Sequence, residues 1–298
     1  MIQVTKLSKR YGDEVALHPL DLHFTSARIY GVIGPDGAGK STLLRCMSGA
    51  LLPSSGQVEV NRHSLGYVSS RFGLYEEMSI AENLRFYGGL YGLDKEQIKE
   101  RSTELLRWIG LSSFQNRLTG ALSGGMKQKL AIAVALLHAP KVLILDEPTY
   151  GVDPLSRREV WKLLKEIRKH GTTVIVSTQY LEESSYCDEV LFLYKGKLLL
   201  QEDPAVLLEQ FPFLLYEMKV STRPTVKQLH EARQLRFVVD VYWRGESLML
   251  VCEEESCKKE VMDRFGWGGN QVVQTVPSFE DVVLEQLRKI PENGGTSA

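Results

Sequence analysis

Gly34-Pro35-Asp36-Gly37-Ala38-Gly39-Lys40-Ser41 has the G-x-x-x-x-G-K-[ST] spacing of a loop that wraps phosphate. Glycines let the backbone curl tightly, so that successive N–H groups and the following helix N-terminus point at an anion. Lys40 supplies a point charge for the outer phosphates. The hydroxyl of Ser41 supplies a ligand for Mg²⁺, with Thr42 beside it. A second candidate is Asp146-Glu147, two adjacent acids closing the apolar run Val142–Leu145. Burying carboxylates without a partner is expensive, so the pair reads as chemistry: Asp146 for Mg²⁺ and Glu147 to orient or deprotonate an attacking water. A third is Leu122-Ser123-Gly124-Gly125-Met126-Lys127-Gln128, whose glycines open a helix and so offer a second anion-binding dipole. The phosphate loop alone fits kinases, GTPases and many ATPases.

The elements around these residues read as an α/β fold. Arg28–Ile33 is a buried strand feeding the phosphate loop, and Ser41–Ser48 a helix ending near Gly49. Met1–Leu7 and Val15–Phe24 read as strands about a turn at Tyr11-Gly12-Asp13, followed by short strands at Gly56–Val60 and Ser64–Val68. A helical insert over about 78–138 begins with Ser79 capping Ile80–Tyr91 and Asp94 capping Lys95–Ile109, and closes with Met126–His138. Lys141–Glu147 and Thr172–Thr178 are apolar runs of the kind that buried parallel strands show. A helix over Leu155–His170 separates them, and a short helix at Tyr180–Tyr186 and a hairpin around Lys195-Gly196 follow. Beyond Phe211 the pattern changes to three alternating strands and helices at Val226–Arg233, Ser256–Phe265 and Phe279–Leu287. The expected domains are therefore 1–211, and a smaller α+β domain over 212–290 with a disordered tail at 291–298.

The 298 residues are 43% hydrophobic and 24% charged with net charge −1, so no global field argues for nucleic acid or an anionic membrane surface. No apolar run approaches the length that crosses a bilayer and the N-terminus lacks an apolar signal core, which points to a soluble, cytoplasmic protein. Cys46, Cys187, Cys252 and Cys257 are read as buried or idle thiols in a reducing compartment.

These motifs, in this order, resemble the ATP-binding subunit of ABC transporters from about Ile2 to Phe211: a P-loop NTPase of ABC type with a helical subdomain. The phosphate loop matches at Gly34–Ser41, the family signature at Leu122–Gln128 and the metal strand at Val142–Glu147. The adenine-stacking aromatic matches Tyr11, and the loop that contacts a second subunit matches Gly151–Pro154 with Asp153. The resemblance implies binding and hydrolysis of Mg-ATP. It also implies separate transmembrane permease subunits, a second ATPase subunit whose nucleotide meets Ser123, Gly124 and Gly125, and a place on the cytoplasmic face of the membrane. Phe72–Leu84 and Val276–Val283 are similar to the multidrug-exporter subgroup, and the loop around Ser70–Met78 is where the permease is expected to dock.

Two positions depart from the family. Ser70 stands where a glutamine normally helps ligate Mg²⁺, and Gln179 where a histidine normally faces the γ-phosphate. Serine is shorter, and glutamine donates a hydrogen bond but neither titrates nor carries charge. One expectation is that both are tolerated polar swaps. The sharper one is slow hydrolysis at the chain's own site, with the intact signature completing a site on a different subunit, which favours a heterodimer over a homodimer. The alternatives are an ATP-clamping regulatory subunit, and a soluble ABC ATPase acting away from transport, which would normally carry two cassettes.

Overall fold

The computed structural model describes residues 2–71, 73–220, 222–267 and 272–290. It divides into two compact units, with the boundary between Pro204 and Ala205 rather than after Phe211. The first unit opens with β1 (Ile2–Tyr11), β2 (Glu14–Phe24), β3 (Ile29–Ile33), α1 (Lys40–Ser48), β4 (Ser55–Glu59) and β5 (Leu65–Val68). The insert α2 (Ile80–Leu90), α3 (Lys95–Trp108) and α4 (Gly124–Ala135) follows, then β6 (Val142–Asp146), α5 (Pro154–Lys169), β7 (Thr173–Thr178), β8 (Glu189–Tyr194) and β9 (Lys197–Glu202).

Six strands form the central sheet in the order β5-β6-β7-β3-β8-β9, parallel except for the β9 edge. Every residue of β3, β6 and β7 is buried, which is why these strands read as continuous apolar runs. The register pairs Ile33 with Thr178, Asp146 with Ser177 and Val68 with Leu145. Gly34, Glu147 and Gln179 therefore leave the sheet at one edge, the crevice where open α/β sheets place ligands.

One face of the sheet, with Val32, Ile144 and Ile175, packs on Leu43 and Met47 of α1 and on Leu7, Leu17 and Leu22 of an antiparallel β2-β1-β4 sheet. The other face, with Leu143, Leu145 and Val176, shares a core with Trp161 of α5 and with Ile80, Leu105 and Leu130 of the insert. Local capping fixes the insert: Ser79 and Glu82 form a capping box on α2, and Asp94 and Gln97 form another on α3. The segment expected as a short helix at Tyr180–Tyr186 is a 3₁₀ helix over Leu181–Tyr186.

The second unit begins at Ala205, the second residue of α6 (Pro204–Glu209). It continues through β10 (Leu214–Met218), α7 (Val226–Arg233), β11 (Val238–Arg244), β12 (Ser247–Cys252), α8 (Ser256–Phe265), β13 (Val272–Thr275) and α9 (Phe279–Arg288). Its β-α-β-β-α-β order and antiparallel sheet β11-β12-β10-β13 make a ferredoxin-like split β-α-β. Val241, Leu248 and Leu250 line one sheet face with Ala232 of α7 and Val261 of α8. On α9 the buried Asp281 accepts from Arg244 (2.8 Å) and from Tyr242, and closes a capping box on Ser278. Cys252 and Cys257 correct the expectation of idle thiols. They end β12 and begin α8 with Cα atoms 6.1 Å apart, and a disulfide joins them. The expected tail over 291–298 lies outside the described residues.

Candidate functional site

The phosphate loop is wedged between β2 and the β8–β9 turn. Gly196 N–H donates to Ala38 O (3.0 Å), and His18 N–H donates to Gly196 O (2.8 Å). Gly39 has φ of 102° and a Cβ there would lie 2.7 Å from Ala16 O, so both the backbone angle and the space demand glycine. Lys40 opens α1 yet is 4% exposed. Its Nζ donates to Gly34 O (2.7 Å) and Pro35 O (3.0 Å) and pairs with Glu147 Oε1 (3.2 Å). A buried ammonium persists only with such partners, and phosphate oxygens entering the loop would compete for the same three donors.

Asp146 is fully buried. Its Oδ1 accepts from Ser41 Oγ (2.9 Å) and Ser177 Oγ (2.7 Å), whereas its buried Oδ2 has no hydrogen-bond partner. A carboxylate oxygen left bare beside a serine hydroxyl is the donor set that a Mg²⁺ ion fits. Among the described residues no cluster of three or more His, Cys, Asp or Glu could hold a metal. One carboxylate and one hydroxyl are donors that an ion shared with substrate phosphates would use. Glu147 sits at φ 51°, a left-handed conformation uncommon outside glycine, fixed by its N–H donating to Ser177 Oγ (2.9 Å).

Lys40, Ser41 and Glu147 face an open cleft of about 470 Å³, lined by Asp36–Thr42, Glu147, Tyr11 and Glu14–Ala16. Tyr11, 48% exposed, presents its ring there with Lys9 Nζ 5.2 Å from its centroid. The signature residues turn elsewhere. Ser123 caps α4, accepting from Met126 N–H (3.3 Å), and both it and Gly124 are exposed. Gly125 is buried, and a Cβ there would lie 2.5 Å from Ser156 Oγ on α5. Asp153 caps α5, accepting from Leu155 N–H (3.1 Å) and Ser156 N–H (2.9 Å); those hydrogen bonds hold its carboxyl below the usual range.

The ABC transporter family model matches residues 17–150. Over 302 residues the chain is 34% identical to a Nod factor export ATP-binding protein I of Cupriavidus metallidurans, covering 96% of both chains. The chain belongs to the ABC transporter ATP-binding family. ATP-binding domains of this family are ATPases. The chain is also 37% identical to the probable multidrug ABC transporter ATP-binding protein YbhF of Escherichia coli K12, over 96% of its own length but only 52% of YbhF's. Its ABC fold matches a dimeric ATP-binding cassette in a post-hydrolysis state bound to ADP and Pi, with TM-score 0.62 and 25% identity over 68% of this chain and 98% of that one.

Within this ABC cassette the two departures lie differently. Val68 pairs with Leu145, so Ser70 is level with Glu147 at the sheet edge, but it is exposed and does not line the nucleotide cleft. Gln179 follows β7 half-buried, likewise outside the lining. Two residues escaped the sequence reading. Ser177 bridges Asp146 and the Glu147 N–H, a role hidden inside an apolar strand. Lys195, at φ 47° in the β8–β9 turn, lines the cleft. The turn was legible, but its closeness to the loop depends on β8 pairing with β3.

Proposed function

We propose that the chain is the ATP-binding subunit of an exporter, coupling Mg-ATP binding and hydrolysis to transport through separate membrane-spanning permease subunits on the cytoplasmic face of the membrane. The observation that carries the nucleotide chemistry is the convergence of Lys40, Ser41, Asp146 and Glu147 at one sheet edge. Lys40 and the loop N–H groups hold the phosphates, and Tyr11 stacks on the base. Ser41 and Asp146 would hold Mg²⁺, which neutralises phosphate charge. Glu147 orients the attacking water and takes its proton, while Gln179 donates a hydrogen bond toward the γ-phosphate.

The names of YbhF and of the Nod factor protein support export. Among the described residues no helix is long and apolar enough to cross a membrane, so the pathway belongs to other segments. The permease is proposed to dock on the loop around Ser70–Met78 together with α2. Asn83 knits this loop, accepting from Tyr75 N–H (3.0 Å) and donating to Tyr75 O (2.9 Å) and Thr119 Oγ1 (3.0 Å). Tyr75, Phe86, Leu90 and Tyr91 stand exposed around it; Phe72 lies outside the described residues.

A second cassette completes the catalytic unit, receiving Ser123 and Gly124 against its nucleotide. The short side chain of Ser70, and the loss of a titratable ring at Gln179, favour a slow own site within a heterodimer; the limiting form is an ATP clamp that leaves hydrolysis to the partner. Titration with a fluorescent ATP analogue tests the nucleotide reading. Binding that requires Lys40 is expected, and unchanged binding by Lys40→Ala would overturn it.

A further inference from the structure

The hydrolytic site leaves one buried charged cluster unused. Glu183, in the 3₁₀ helix after Gln179, is fully buried. Its Oε2 accepts from the hydroxyl of Thr149 (3.1 Å), itself 1% exposed and two residues beyond Glu147. Its Oε1 lies 3.8 Å from Nε of Arg157, one helical turn beyond Asp153 on α5. Both of these atoms are buried and neither has a hydrogen-bond partner. The Arg157 guanidinium also stacks 3.9 Å over the ring of Tyr180 and reaches Glu182 at 3.3 Å.

Burying a carboxylate costs several kcal/mol and a well-packed apolar residue would avoid that cost, so stability alone does not explain Glu183. Its partners do. Thr149 belongs to the loop of Glu147, Arg157 to the helix start capped by Asp153, and Glu183 itself to the segment of Gln179. Three backbone segments that each carry a site residue converge on one side chain, with an Arg157–Glu183 pair just short of a hydrogen bond.

We propose that Glu183 is a positioning residue for ATP hydrolysis, binding the Gln179 segment to the Glu147 loop through Thr149 and to the start of α5 through Arg157. The inference rests on the hydrolytic reading of the Gly34–Ser41 site. A movement of Gln179 toward the nucleotide is passed to Glu147 and to the Asp153 loop, so the three elements reach their working positions together. Misplacing a reacting group by about 1 Å costs up to roughly 100-fold in rate, so a loosened cluster shows in turnover before it shows in binding.

The test compares Thr149→Val, Thr149→Ser and Glu183→Gln with wild type in the assembled complex whose partner cassette carries a hydrolysis-blocking substitution, by single-turnover ATP hydrolysis, binding of a fluorescent ATP analogue and thermal melting. Thr149→Val and Glu183→Gln are expected to lower the hydrolysis rate about tenfold and to change the analogue Kd less than about twofold. Thr149→Ser, which keeps the hydroxyl, is expected to hold the rate within about twofold of wild type. Wild-type rates in both Thr149→Val and Glu183→Gln would overturn the inference alone. So would parallel losses of rate, binding and melting temperature that serine fails to rescue. A wild-type complex that binds the analogue but never hydrolyses ATP would remove the hydrolytic reading and this inference with it.

Discussion

Two helix ends in the first unit offer N–H groups to an anion, and they are built in opposite ways. At the start of α1, Lys40 is 4% exposed and the loop before it is clasped by Ala38 and Gly196, with Asp146 and Glu147 already in place. At the start of α4, Ser123 and Gly124 are exposed, and none of the signature residues lines the nucleotide cleft. The first has its chemistry within reach of one chain. The second is a capped, exposed helix end whose residues stand away from that cleft, the arrangement for which a partner cassette is proposed.

Glu147→Gln bears hardest on the first region. It is expected to abolish the slow turnover of the chain's own site while leaving the ATP analogue bound, because it removes the proton acceptor and keeps the shape. Single-turnover hydrolysis alongside analogue titration checks this. Lys40→Ala is expected to weaken analogue binding about 100-fold, the loss of one or two charge-assisted hydrogen bonds. Ser123→Arg, by contrast, is expected to leave binding to the isolated chain within about twofold and to abolish this chain's stimulation of hydrolysis at the partner cassette's site. Equal damage to binding by the two variants would erase the distinction between the regions. Ser123→Ala is a smaller change: losing the cap is expected to cost about 1 kcal/mol in denaturant unfolding.

The smallest effect concerns the seat of the signature helix. His138, just beyond α4, sets Nε2 3.1 Å from Leu65 O and its ring 4.2 Å from that of Tyr91, while its Nδ1 is buried without a partner. Burial lowers its pKa below the ordinary 6.5. The unfolded chain then takes up the proton first, so this contribution to stability is complete above about pH 6.5 and is lost as the pH falls toward the folded value. Melts between pH 8 and pH 5.5 are expected to show a decline that His138→Gln flattens.

What the sequence made legible was local or strongly patterned. The caps at Ser79 and Asp94 are short-range chemistry, and β3, β6 and β7 are apolar because both of their faces are covered. The phosphate loop and Asp146-Glu147 declared themselves by residue type. Features made by pairing distant segments did not. β13 follows a glycine-rich break and leaves Val273 64% exposed, so no alternation marks it; only pairing with β10 makes it a strand. Thr149, Arg157 and Glu183 look unrelated in sequence, and Ser177 is hidden within an apolar strand. Cys252 and Cys257 are close in sequence, but their pairing depends on where β12 ends and α8 begins.

In the proposed assignment the Gly34–Ser41 site holds Mg-ATP firmly while Ser70 and Gln179 keep its own turnover slow. Steady-state ATP hydrolysis by the purified chain, free of any other cassette and compared with the Ser70→Gln/Gln179→His double variant, tests it most directly. Saturable ATP binding by both, little turnover by the wild-type chain, and about a tenfold or greater rise in the double variant are expected. Vigorous wild-type turnover, abolished by Glu147→Gln and not raised by restoring glutamine and histidine, would contradict it.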